Sequence, residues 1–187
     1  SQFKQLPESE ASWRERMRAM QEAALVITAD LSIDHVLQRI VDLARDLIQA
    51  RYAALGVLSE NGRGLAQFVT SGITEAERAA IGSLPRGYGL LGTLIQDPRP
   101  LRLRDIASDP RSIGFPPHHP KMTSFLGVPI LAKGRVLGNF YLTDKIDAPE
   151  FTQEDEELLV MFAAHAGVAI ENARLHTLTD ARLQEKI

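Results

Sequence analysis

From Ile33 to Ile48 apolar residues recur every three or four positions: Ile33, Val36, Leu37, Ile40, Val41, Ala44, Leu47 and Ile48. That spacing draws one apolar stripe along a helix, with Ser32 in the N-cap position, Asp34 in the first turn and an end expected near Ala50. The period then shortens. Residues 52–58 and 65–71 are β-prone runs on either side of Glu60-Asn61-Gly62-Arg63-Gly64, which predicts a hairpin. Thr74 and Glu77 have the spacing of a capping box for a short helix running to Leu84. A glycine- and proline-rich stretch follows, with a small helix expected over 90–95 and a short strand over 100–103. Residues 105–121 read as a long irregular loop holding four prolines, a length that within a domain usually serves function. Residues 124–132 and 136–143 predict a second hairpin around Lys133-Gly134-Arg135. Thr152, with Asp155 three residues on, caps a last helix whose stripe is Leu158, Phe162, Ala166, Ala169, Ile170 and Ala173.

The order helix, hairpin, helix, loop, hairpin, long helix predicts an α+β fold, an antiparallel sheet with helices packed against it. Residues 9–28 are helix-prone and form a flanking helix in this reading. Beyond Arg174 the last helix turns polar, yet Leu175, Leu178 and Leu183 keep a seam-like spacing. The chain stops at Ile187 without a terminating glycine or proline, so that helix is expected to continue into a further domain.

Composition narrows the chemistry. At 187 residues, with 44% hydrophobic and 24% charged residues, the chain has the make-up of an ordinary globular protein. A net charge of −3 without a Lys/Arg block argues against nucleic-acid binding. No uninterrupted apolar run approaches the roughly 20 residues that cross a bilayer, so no membrane association and a cytoplasmic setting are expected. Cysteine is absent, which excludes disulfides, thiolate metal sites, thiol nucleophiles and thioether attachment of a chromophore. A cofactor must be held by nitrogen or oxygen ligands and by packing.

Gly87-Tyr88-Gly89-Leu90-Leu91-Gly92 fits a dinucleotide-binding pattern, but a helix end and a turn precede it where a buried strand is required. The His118-His119 pair carries more. Exposure is the default for a loop histidine, yet Pro116, Pro117 and Pro120 restrict this loop, and Ile113, Phe115, Met122 and Phe125 around it are apolar. Adjacent residues of an extended loop point apart, so one imidazole of the pair is expected to act as a ligand. Tyr141 shares a strand face with Asn139, opposite Phe140 and Leu142. On a pocket face its hydroxyl needs a partner. His165 is followed by Ala166 rather than by an acid and reads as a helix-face residue, while His35 and His176 form no metal-spaced pair. The acidic run 154–157 suits the first turn of a helix. No catalytic set of side chains is evident.

Four segments, Ala50-Arg51-Tyr52-Ala53-Ala54-Leu55-Gly56-Val57, Phe125-Leu126-Gly127-Val128-Pro129-Ile130, Gly138-Asn139-Phe140-Tyr141-Leu142 and Phe151-Thr152-Gln153-Glu154-Asp155-Glu156, together resemble a GAF domain. Ile81-Gly82-Ser83-Leu84-Pro85, Gly114-Phe115-Pro116 and His118-His119-Pro120 further resemble the first GAF domain of the DevS/DosT-type oxygen- and redox-sensing histidine kinases of actinobacteria. The resemblance implies a GAF sensor domain over 25–175, a flanking helix over 1–24 and the start of a connecting helix over 176–187. It implies non-covalent b-type haem with His119 as proximal iron ligand and Tyr141 as distal hydrogen-bond donor to O2, NO or CO. Gly56 falls beside the haem edge, where the missing side chain would leave the edge open. Phe68, Leu91, Ile113, Phe115 and Met122 complete the expected haem contacts. The implied partners are a downstream kinase domain and a second copy through the terminal helices, and the fragment itself would catalyse nothing.

Two rival readings stand beside it. Phe151-x-x-x-Asp155-Glu156 resembles part of the N-K-x-F-x-x-x-D-E motif of cyclic-nucleotide-binding GAF domains, although Asn139 and Lys145 are not adjacent. The same residues also read as a strand exit followed by a helix cap. The second rival is a ligand-free dimerisation module.

Overall fold

The stripe that follows Ser32 is a helix. The computed structural model describes residues 12–21, 32–62, 64–76, 90–110 and 121–185, without the side chains of 90–92 and 177–185. Helix α1 covers 12–21 and α2 covers Ile33–Ile48. Val36, Leu37, Ile40, Val41, Ala44 and Ile48 of α2 are buried, as their spacing requires. Ser32 stands at the N-cap of α2 but makes no side-chain capping bond; its backbone carbonyl accepts the first helical bond, from the Val36 N–H at 3.0 Å. Gln49 ends the helix in the left-handed region, at φ 62°, with its N–H donating to the Arg45 carbonyl.

The chain passes directly into β1 (Ala50–Leu58), which turns back as β2 (Leu65–Ser71). Helix α3 (Leu90–Gln96) and the short β3 (Leu101–Leu103) follow, then β4 (Phe125–Ala132), β5 (Arg135–Lys145) and the long α4 (Gln153–Glu185). The strands form one antiparallel sheet in the order β2-β1-β5-β4-β3. The expected α+β fold is therefore present. The helix expected from Thr74 begins at residues 75–76, and the rest of that segment lies outside the described residues.

Strand alternation divides the molecule into two cores. Leu55, Val57, Leu126, Val128, Ile130, Phe140 and Leu142 face α2 and α4, where they meet Leu37, Ile40, Leu159, Phe162 and Ala166. The opposite sheet face carries a smaller core of Leu94, Ile106, Met122 and Phe125, with Tyr52, Ile73, Leu101, Leu103 and Tyr141 packed against it. Helix α4 includes a stretch, Gln153–His176, that is long and apolar enough by composition to cross a bilayer, with mean hydropathy 1.3. Its buried residues Leu158, Leu159, Phe162, Ala163, Ala166 and Ile170 belong to the helix-side core.

Two details fix the centre of the sheet. The β4–β5 turn has two residues, Lys133 and Gly134, both at positive φ (51° and 75°), so Ala132 pairs with Arg135. This is a tighter turn than the three residues expected, and its twist matches that of the strands. In the middle of β5, a Cβ on Gly138 would lie 1.9 Å from the Gly56 carbonyl oxygen. Backbone cannot yield as a flexible side chain can. Gly138→Ala is thus expected to destabilise the fold by about 3 kcal/mol or more, seen as a lower urea midpoint.

At the end of β5, Lys145 Nζ lies 3.1 Å from Asp155 Oδ2 and donates to the Ile48 carbonyl at 2.6 Å. The Thr152 N–H donates to Asp155 Oδ2 and the Asp155 N–H to Thr152 Oγ1, the reciprocal capping expected at this helix start. Arg16 of α1 approaches Asp155 Oδ1 at 3.7 Å. One carboxylate thus joins α1, α4 and β5 and, through Lys145, the end of α2.

Candidate functional site

The smaller core lies against a sheet face built from alternate residues. Tyr52, Ala54 and Gly56 of β1 are in register with Thr143, Tyr141 and Asn139 of β5. Across β5 stand Phe125, Gly127 and Pro129 of β4. Leu101 and Leu103 of β3 complete this face at one edge, and Phe68 and Thr70 of β2 face Gly56 and Ala54 at the other. The alternation that sets Tyr141 apart from Phe140 and Leu142 is present as expected.

Tyr141 is half-buried in this face and stacks on Phe125, with ring centroids 5.9 Å apart and planes at 22°. The stacking is possible because the neighbouring strand residue is glycine: a Cβ on Gly127 would lie 2.7 Å from both Leu94 and the Phe125 ring. The Tyr141 hydroxyl makes no hydrogen bond among the described residues. Loss of solvent pushes its phenol well above the ordinary tyrosine value, so the group stays a neutral O–H donor. The sign of the linkage follows. The neutral phenol's contribution to stability is complete below about pH 10 and is lost as pH rises from there towards the raised folded value. An alkaline unfolding series should show Tyr141→Phe losing less stability than the parent above pH 10.

Gly56 faces the same side. The nearest atoms to a Cβ built there are Asn139 Oδ1 at 2.8 Å and Leu65 Cδ2 at 3.1 Å. The space in front of this glycine is thus taken up by an amide and a leucine. Met122 is buried in the smaller core, 6% exposed, and Phe68 is half-buried on β2. Leu91 lies in α3, with its side chain outside the described residues. Ile113, Phe115, His118 and His119 also lie outside them. Among the described residues no cluster of three histidines or carboxylates is spaced to hold a metal ion. The wall is mainly aromatic and aliphatic among the described residues, with the Tyr141 hydroxyl and the polar side chains of Asn139 and Thr143 on the same strand face.

The sequence reading left out Leu94, Leu101, Leu103 and Ile106, which pack against the Tyr141 face. Period-2 alternation identifies Leu101 and Leu103 as one face of a strand, but no local signal says which sheet they join. A separate shallow hollow of about 300 Å³ is lined by Arg102, Leu103, Glu150, Phe151 and Glu156. Its Arg102 is already bonded to Glu156 Oε1 and the Phe151 carbonyl. Phe151, Lys145 and Asp155 of the motif also have structural partners. Phe151 is 2% exposed in the helix-side core, and Lys145 Nζ sits 6.0 Å from its ring centroid.

Comparison with known proteins places this geometry. Residues 30–171 match the model of the GAF domain. A curated relative, "Probable 3',5'-cyclic phosphodiesterase pde-5" of Caenorhabditis elegans, is 25% identical over 156 residues. That alignment takes in 78% of this chain and 21% of the relative, so the chain spans about a fifth of that protein. The GAF domain of a phosphoenolpyruvate-protein phosphotransferase from Coxiella burnetii superposes with a TM-score of 0.75 at 21% identity, covering 87% of this chain and 96% of that one. Free methionine-R-sulfoxide reductase from Neisseria meningitidis, solved with its substrate, superposes with a TM-score of 0.69 at 15% identity, over 86% and 91% of the two chains. At these identities the two structures share the fold.

Proposed function

Since the chain belongs to the GAF domain family of small-molecule-binding sensory modules, we propose that it is a haem-based sensor of O2, NO, CO or redox state. The observation that carries this reading is the Tyr141 hydroxyl, held neutral by burial and without a hydrogen-bond partner among the described residues, on a mainly apolar wall. The Gly114-Phe115-Pro116 and His118-His119-Pro120 loop, with its resemblance to the haem-binding subfamily, supplies the other half of the argument. His119 would hold the iron by one ring nitrogen, its second nitrogen donating to a carbonyl or carboxylate. Without cysteine, retention of the b-type haem rests on that bond and on packing by residues such as Phe68 and Met122. Haem held there would supply an iron able to bind a diatomic gas. The open-edge role expected for Gly56 is not carried forward, because Asn139 and Leu65 fill the space before it.

Tyr141 gives the site its discrimination. O2 accepts a hydrogen bond more strongly than CO or NO, so the phenol engages each gas differently. Tyr141→Phe is expected to speed O2 release about tenfold, the equivalent of one hydrogen bond of roughly 1.4 kcal/mol, with a smaller effect on CO. Stopped-flow release rates measure both. The response passes along β5 towards α4 and an attached histidine kinase, so the domain itself catalyses nothing. Met161, Val168 and Leu175 are exposed on α4 at seven-residue spacing, which supports pairing with a second copy along that helix. Cytoplasmic placement without nucleic-acid or membrane contact follows from the same reading.

The experiment is a hemin titration of purified protein. A Soret band that saturates at one hemin per chain supports the proposal, and protein that stays colourless when supplied with hemin overturns it. The likeness to the nematode phosphodiesterase favours cyclic nucleotide binding as the second reading. In that case cyclic AMP or cyclic GMP, and not hemin, would raise the melting temperature.

A further inference from the structure

Among the described residues, three buried side-chain polar atoms lack a hydrogen-bond partner: Asn139 Oδ1, Thr143 Oγ1 and Asp144 Oδ2. All three belong to one stretch of β5. Asn139 and Thr143 are each 2% exposed and lie on the same strand face, one on either side of Tyr141. Their cross-strand neighbours offer nothing to either group. Asn139 stands between Gly56, which has no side chain, and Pro129, which has no N–H. Thr143 stands between Tyr52 and Phe125, two aromatic rings. Asp144 Oδ1 accepts from the Thr123 N–H at 2.7 Å, which leaves its second oxygen over at the end of the strand.

A buried polar atom left unsatisfied is costly, so the two on the Tyr141 face call for a common explanation. Water is the simplest group that can answer both an amide oxygen and a hydroxyl. Asn139 and Thr143 are four residues apart, roughly 13 Å along the strand, so they would be linked by a row of waters rather than by one, each step spanning about 5–6 Å.

We propose that β5 binds a row of ordered water through Asn139 and Thr143, on either side of Tyr141, and that this row fixes the direction in which the Tyr141 hydroxyl donates. Asn139 and Thr143 are then positioning residues. The water row stands on the geometry of the strand alone, while its effect on a bound gas rests on the haem reading.

Asn139→Leu and Thr143→Val remove the polar atoms with little change of shape, and two variants guard against one failing to fold. The first readout needs no haem: a crystal structure of the parent protein, with or without hemin, is expected to show water within hydrogen-bond distance of Asn139 Oδ1. An amide found dry, or bonded to a protein group, overturns the proposal. The second readout is the C–O stretching band of hemin-loaded protein under carbon monoxide. In the parent this band should shift on transfer from H2O to D2O, and in either variant the shift should shrink, with O2 release changed about tenfold. A solvent shift unchanged in both variants refutes the positioning role. If hemin is not taken up at all, the sensor reading fails, and the crystallographic readout alone decides the water row.

Discussion

His119→Ala is expected to weaken hemin retention by at least about a hundredfold, roughly 2.8 kcal/mol, while His118→Ala leaves it nearly unchanged. In the proposed site haem would be held by a single coordinate bond to the protein, with packing supplying the remainder, since no cysteine is present for covalent attachment. The expected contrast rests on the sequence reading that one imidazole of the pair acts as ligand. The contrast between the two variants is therefore sharper than either result alone. Soret intensity after gel filtration measures it, and loss of the band in His118→Ala would reverse the assignment within the pair.

The second large effect is on the fold. Asp155→Ala is expected to lower stability by about 3–5 kcal/mol, or roughly 6–20 °C in melting temperature for a chain of this size. Asp155 is 1% exposed, and its partner Lys145 only 10% exposed, so removing the carboxylate strands a buried ammonium. The same substitution deletes the carboxylate that accepts from the Thr152 N–H at the start of α4. Asp155→Asn keeps an acceptor for that bond and removes only the charge, so it should fall between the parent and Asp155→Ala. Equal losses in the two variants would mean that the capping bond contributes little beside the ion pair.

The periodic elements were legible in the sequence for a physical reason: each buries one face, and burial imposes the period. Residues 33–48 and β5 show this most plainly. The β4–β5 turn was less so, because lysine at positive φ is not the asparagine or aspartate that announces a two-residue turn. What local pattern could not give was partnership. Nothing near Lys145 in the chain says that it meets both Asp155 and the Ile48 carbonyl, and nothing near Arg16 points to the start of α4. On the candidate site, alternation put Asn139 and Tyr141 on one face. Only the pairing with Gly56 and Pro129 shows that the amide is left without an answer. The His118-His119 pair falls outside the described residues, and its part in the site rests on the sequence.

Phe140 and Tyr141 are consecutive, and they look into different interiors. Any shift of the β5 backbone at Tyr141 is shared by Phe140, which is fully buried in the helix-side core. In the proposed sensor the residue facing the ligand and the residue facing the helices would thus be neighbours in the chain, with no intermediate residue between the two sides of the sheet.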